Sequence, residues 1–175
     1  METEFRAIVH SEYGAPEKVL KMAKRQLTSE ELGVDDVLVQ VIARPIHPGD
    51  IQMLSALPQG GPVAPIPEGT LRIPGFEGVG TVRRLGTNAK AAKGFSEGQR
   101  VAFFPANGTW GEYVVVRSNS LLPVPNGISD QIAAQMLINA ITASVLIKAG
   151  HNSLKAIQHV SSPGKTGMVL LKSPV

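Results

Sequence analysis

No cysteine occurs anywhere in the 175 residues, which excludes disulfides, thiolate zinc sites and cysteine nucleophiles and leaves the redox compartment open. Aromatic residues are few, at 5%, and do not alternate with basic ones. The net charge is only +3 and the lysines and arginines are scattered along the chain. Phosphate neutralisation needs a concentrated basic face, so nucleic acid is not an expected partner. No apolar run approaches the ~20 residues of a membrane span, so no membrane role is expected either. Two acids in Met1 to Glu4 precede any apolar stretch, the opposite of a presequence, which makes a cytoplasmic location the expectation. No internal repeat or low-complexity tract is visible.

What is present points to a folded, β-rich domain. Hydrophobic residues make up 43% of the chain and charged residues 18%, inside the range of globular proteins and far from disorder. The 18 glycines and 13 prolines are spread between short apolar runs, which suits many strands and turns better than a helical bundle. Residues 5 to 10 and 17 to 22 read as a hairpin turned by Tyr13 to Pro16. Asp35 to Ala43 alternates strictly, placing Val37, Val39 and Val41 on one face.

Prolines recur at 58, 62, 65, 67 and 74, so residues 58 to 74 cannot sustain a helix or central strand and form a long surface loop. Further strands are expected from Gly75 to Val82, Gln99 to Phe104 and Gly108 to Val116. Pro125-Asn126-Gly127 is a turn, Ser129 an N-cap, and Asp130 favours the dipole of a helix running to Lys148. That helix carries Ile132, Ala133, Met136, Leu137, Ala140, Ile141 and Val145 at helical spacing. Ile138, Leu146 and Ile147 widen its apolar stripe, so both sides call for burial.

Five segments then appear in a fixed order. Arg44 to Ile51 (RPIHPGDI) is similar to a "PINPxDI" motif, Ile73 to Val82 (IPGFEGVGTV) to "PGxEGVGxV", and Gly98 to Val101 (GQRV) to "GDRV". Asn107 to Tyr113 (NGTWGEY) is similar to "GTWxEY", and Leu137 to Ala143 (LINAITA) to "xxNPLTA". Together they resemble the catalytic domain of the medium-chain dehydrogenases/reductases, in the quinone oxidoreductase and 2-enoyl thioester reductase branches. The resemblance implies a mainly β (α+β) fold: a GroES-like, partly open β-barrel with a few helices, completed by a carboxyl-terminal strand. It also implies hydride transfer from NADPH to quinones or related enones, with NADPH held in the full-length parent and bound weakly at best here.

Zinc-dependent members of that family carry a cysteine in the first motif and a histidine before the Glu of the second. Here cysteine is absent and the second position is Phe76, so no metal is expected. In the family a Rossmann domain with a Gly-rich turn follows Thr142-Ala143. Nothing similar follows Gly150. Residues 151 to 175, ending in GKTGMVLL before the last few residues, instead resemble the family's extreme carboxyl terminus. The expectation is therefore a single catalytic domain over 1–175, with 1–150 as its amino-terminal part and 151–175 as a returning segment. The nucleotide-binding domain would be missing between about 150 and 151, by design or by natural truncation.

The resemblance assigns candidate roles to individual residues. His47 stands where the family usually has Asn and would face nicotinamide or substrate, as a hydrogen-bond or proton donor titrating near neutrality; a solvated loop histidine is the alternative. Asp50 is a catalytic candidate, or the cap of a short helix at Ile51 to Leu54. Gln52 and Trp110 are substrate-binding candidates, Trp110 either stacking a flat quinone or belonging to the core. Asn139 and Thr142, three apart on one helix face, would contact the nicotinamide carboxamide with His47. Glu77 reads as a structural hydrogen-bond acceptor among glycines. The enoyl thioester reductases' tyrosine has no counterpart in Ser55 to Gln59, which favours quinones as substrates. A non-enzymatic binding module is the alternative of a different class, and a co-chaperonin-like ring subunit rests on fold analogy alone. The apolar surface of the 130–148 helix would favour self-association into a homo-oligomer.

Overall fold

The computed structural model of the protein describes residues 3–28, 32–56, 64–89 and 94–160, with side chains described as far as 153. Two compact units divide the chain, Met1–Ile138 and Asn139–Val175, and each is described by itself.

The first unit is built on antiparallel strands. β1 (Thr3–Val9) pairs with β2 (Lys21–Leu27), Thr3 opposite Leu27 and Val9 opposite Lys21. A second sheet takes the order β6-β3-β4-β5-β7, from β3 (Asp36–Ala43), β4 (Gly78–Leu85), β5 (Arg100–Phe103), β6 (Tyr113–Arg117) and β7 (Leu121–Pro123). Between the two sheets the Ala7–Gly111 bridge makes the connection. The described ladders do not close on themselves, in keeping with an open rather than a sealed barrel.

Alternation in the central strands creates the core. Val37 and Val39 of β3, Val82 of β4, Val101 and Phe103 of β5, and Val114 and Val116 of β6 pack into one buried cluster, with Val41 partly buried against it. Burial of each such side chain is worth about 1.5–3 kcal/mol. Leu38, on the opposite face of β3, is also buried, so the central strand is covered on both sides at that level.

Three expectations need correction. Residues 17 to 22 are not a strand: Pro16 opens a short helix, α1 (Pro16–Val19), and β2 begins only at Lys21. The fixed φ of proline suits a first helical turn, and the amides of Lys18 and Val19 both donate to the Ala15 carbonyl. Residues 108 to 112 form a turn before β6, with Gly108 at φ +89° and the Gly111 amide donating to the Gly108 carbonyl.

The single helix expected from Asp130 to Lys148 is two, α3 (Asp130–Ala133) and α4 (Met136–Val160). Ser129 caps α3 as expected, its hydroxyl accepting from the Ile132 amide. The break shifts the helical phase: Ala133 and Ala134 are buried while Ile132 is exposed. α4 continues without interruption through positions 150 and 151 to Val160. The expected returning strand lies outside the described residues. In the second unit, Ile141, Val145, Leu146 and Ile147 of α4 are exposed. Among the described residues no helix is long and apolar enough to cross a membrane.

Candidate functional site

The site grows from one end of the central strand pair. Ala43 at the end of β3 is the cross-strand partner of Val79 at the start of β4. The segment leaving β3 and the segment entering β4 are therefore held side by side, and they carry His47 and Glu77.

After Ala43, Pro48 opens α2 (Pro48–Leu54) with His47 as its N-cap in extended conformation. The Asp50 carboxylate accepts from the His47 main-chain amide at 2.7 Å, and the Asp50 amide donates to the His47 carbonyl at 3.0 Å. Asp50 does cap this helix as anticipated, but from the third helical position rather than from the cap itself, the reach-back half of a capping box.

The His47 ring stacks on Phe76, with centroids 5.4 Å apart and planes 13° from parallel. Its Nε2 lies 2.6 Å from Glu77 Oε2. Glu77 is only 1% exposed, and its other oxygen accepts the amides of Leu137 and Ile138, each at 2.9 Å. These are orphan donors of the first turn of α4. A buried carboxylate waiting at that point explains why the chain starts a new helix at Met136. Paired with an ionised Glu77, the ring donates from Nε2, which leaves Nδ1 as an acceptor.

Asp50 is 2% exposed, and its Oδ1 has no hydrogen-bond partner. Burial pushes its carboxyl above the ordinary range; the His47 amide and ring oppose this, and the Glu77 carboxylate adds to it. Thr109 and Trp110 lie behind Gly75, which has φ +94°. A Cβ on Gly75 would collide with Thr109 Oγ1 and Trp110 Cδ1. The hydroxyl of Thr109 and the indole Nε1 of Trp110 are buried without a described partner.

A cleft of about 500 Å³ opens beside this framework. Asp50, Met53 and Leu54 of α2 line one side, and Leu71 to Phe76 another. The first hairpin contributes His10, Tyr13 and Arg25. Arg72 Nη1 donates to the Tyr13 hydroxyl at 2.9 Å, and that hydroxyl donates to the Ala64 carbonyl at 3.2 Å.

The structure thus brings His47 and Asp50 together. Gln52 sits exposed on α2 and does not line the cleft, and Trp110 is buried behind Gly75 rather than on the cleft wall. Asn139 and Thr142 are exposed on α4 in the second unit. Sequence reasoning identified Glu77 as an acceptor but not its partners, and it missed Tyr13, Arg25 and Arg72 altogether, since nothing in their local pattern distinguishes them from surface residues. Among the described residues no cluster of three or more His, Cys, Asp or Glu is arranged to hold a metal ion.

The sheet order, with a short capped helix leaving β3 and a buried Glu entering β4, defines a GroES-like β-domain. The chain belongs to the alcohol dehydrogenase GroES-like domain family of the medium-chain dehydrogenases/reductases, whose model matches residues 33–126. It is 32% identical over 170 residues to the mitochondrial enoyl-[acyl-carrier-protein] reductase of Arabidopsis thaliana, covering 97% of this chain and 42% of that protein. To the mouse enzyme of the same name it is 35% identical over 141 residues, covering 79% and 34%. A crystal structure from Bacillus thuringiensis, assigned as an NADPH:quinone reductase, superposes with a TM-score of 0.68 at 32% identity, covering 82% of this chain and 40% of that one. The chain therefore spans less than half the length of these relatives.

Proposed function

We propose that this chain forms the substrate-side wall of a zinc-independent, NADPH-dependent reductase that delivers a hydride to a quinone or related conjugated carbonyl. The observation that carries the reading is the His47–Glu77 pair. A ring nitrogen donor is fixed at 2.6 Å on a buried carboxylate, and the ring stacks on Phe76, which lines a largely apolar cleft of about 500 Å³, a size suited to a small-molecule substrate. The absence of cysteine, with Phe76 where a family metal ligand would stand, supports the zinc-free assignment.

When bound, NADPH supplies the hydride. The chain's own contribution is orientation. Glu77 fixes the His47 ring, Phe76 holds it flat, and Asp50 fixes its main chain, so that Nδ1, an acceptor when Nε2 donates to Glu77, is left for the N–H of the nicotinamide carboxamide. Asn139 and Thr142 are retained as carboxamide contacts, and Gln52 and Trp110 as weaker candidates for substrate. The N-terminus of α4 is filled by the Glu77 carboxylate, so it is not open to a pyrophosphate. In this reading the chain meets the cofactor only at its nicotinamide end, and the nucleotide-binding domain is not part of the 175 residues.

A second reading, enoyl thioester reduction, is favoured by the 32% and 35% identities to enoyl-[acyl-carrier-protein] reductases. The test follows nicotinamide absorbance in the full-length parent with simple quinones and with a crotonyl thioester. Quinone turnover supports the first reading and thioester turnover alone the second; an inactive parent removes both. The 175-residue chain by itself is expected to be inactive, because holding donor and acceptor together is worth about 7–11 kcal/mol of barrier and one wall cannot supply it.

A further inference from the structure

The polar side of the cleft has chemistry that hydride transfer to a quinone does not use. Met53, Leu71, Ile73 and Phe76 give it a largely apolar lining. Two arginines are among the residues lining the same cavity, Arg25 from β2 and Arg72 from the loop before β4. Neither forms an ion pair with a carboxylate among the described residues. Arg72 spends one nitrogen on the Tyr13 hydroxyl, and among the described residues its other side-chain nitrogens have no hydrogen-bond partner.

Arginine matches planar, doubly accepting oxyanions, and two cationic residues lining one cleft raise the local concentration of anions. Asp50 is the acidic residue among those lining the cavity. It is 98% buried, lines the cleft, and leaves Oδ1 without a partner. Phe76 links this cavity to the candidate centre, since it lines the cleft with one face and stacks on His47.

We propose that the cleft binds an elongated apolar molecule that ends in an oxyanion, carboxylate or phosphate, with the chain along Met53, Leu71, Ile73 and Phe76 and the anion on Arg25 and Arg72. This deepens the proposed function by naming the substrate class, and it rests on that function only for the identification of the bound molecule as substrate. Binding itself involves no nicotinamide, so it succeeds or fails separately from the turnover assay.

The protein's one tryptophan provides the readout, because Trp110 packs directly behind Gly75, a cleft-lining residue. Tryptophan fluorescence of the 175-residue chain is titrated with decanoate and decyl phosphate below their micellar concentrations and with decanol below its solubility limit. At least one anion should bind saturably and about tenfold more tightly than decanol, the scale of one charge-assisted contact. The tighter of the two anions identifies the carboxylate or phosphate source.

Arg72→Gln and Arg25→Gln should each weaken the anion about tenfold and leave decanol nearly unchanged, and Met53→Asp should weaken all three. Arg25 has no described hydrogen bond to lose, so Arg25→Gln tests the anion contact even if Arg72→Gln disturbs the fold. The proposal is overturned if no ligand binds saturably, if decanol binds as tightly as both anions, or if neither arginine substitution changes anion affinity.

Discussion

Glu77 and His47, 30 residues apart in sequence, meet at 2.6 Å, and through its second oxygen the same carboxylate holds the first turn of α4. One buried side chain therefore joins three segments: the loop after β3, the entry to β4, and the start of the longest described helix.

Removing that carboxylate should be costly. Glu77→Ala leaves two helix amides and the histidine ring unpaired in a buried site, and a loss of about 3 kcal/mol is expected. Glu77→Gln keeps a carbonyl for the two amides and should lose about half as much. Urea denaturation of the three proteins measures both, and a loss below about 1 kcal/mol for the alanine variant would contradict the joint role.

Two glycines with similar backbone angles should respond differently to alanine. Gly98 has φ +83° and open space within 4 Å of the point where a Cβ would stand, whereas Gly75 has φ +94° and is walled by Thr109 and Trp110. Gly98→Ala should cost only the left-handed backbone penalty, about 1–2 kcal/mol. Gly75→Ala adds a collision with two buried side chains and should exceed it by at least about 2 kcal/mol. Thermal denaturation compares them directly; equal losses would mean that Trp110 and Thr109 give way freely.

The pH dependence of stability should contain two opposing carboxyls. Burial raises the Asp50 pKa in the folded chain, so the fold binds this proton more readily than the unfolded chain does. Its contribution is complete below the usual carboxylate value of ~3.9 and is lost as pH rises through the raised value. Glu112 has the opposite sign. The hydrogen bonds from the Arg6 side chain and amide hold its pKa down, so its contribution is present above the usual value of ~4.3 and is lost as pH falls through the lowered one. Asp50→Asn should thus gain on the parent as pH climbs out of the acid range, and Arg6→Gln should lose to it near neutrality but not in acid. Urea midpoints from about pH 3 to pH 8 would show a flat difference for both variants if these carboxyls titrate normally.

Metal removal should leave the protein unchanged. The lack of cysteine and the Phe76 side chain lead us to expect no stoichiometric zinc by elemental analysis and no shift in melting temperature with a chelator. One tightly held zinc per chain would overturn the zinc-independent assignment.

Much of the fold is legible in the sequence because its core is local in pattern. Val37 and Val39 alternate as a half-buried strand must, and Ser129 with Asp130 announces a helix start. The differences arise where tertiary partners decide. Nothing local marks Met136 as a helix start, since the acceptor that creates it, Glu77, is 60 residues away from Leu137. Pro16 has the local signature of a turn, although proline equally opens a helix. In the site, His47 and Asp50 are recognisable from their motif. Arg25, Arg72 and Tyr13 acquire meaning only when the first hairpin folds over the proline-rich loop, through the His10–Arg72 bridge.

The pairing of Ala43 with Val79 bears on how freely this scaffold can be redesigned. The two ends of the intervening segment are pinned as ladder neighbours, so the middle of that segment can lengthen at small expense: doubling a loop adds only about 0.6 kcal/mol of closure entropy. His47 and Glu77 stand near the two pinned ends, while Leu71 and Arg72 lie in the part between. A library of grafted loops spanning residues 64 to 71 could therefore retune ligand preference while the histidine and its carboxylate stay in register, a separation of recognition from machinery that lends the domain to combinatorial engineering.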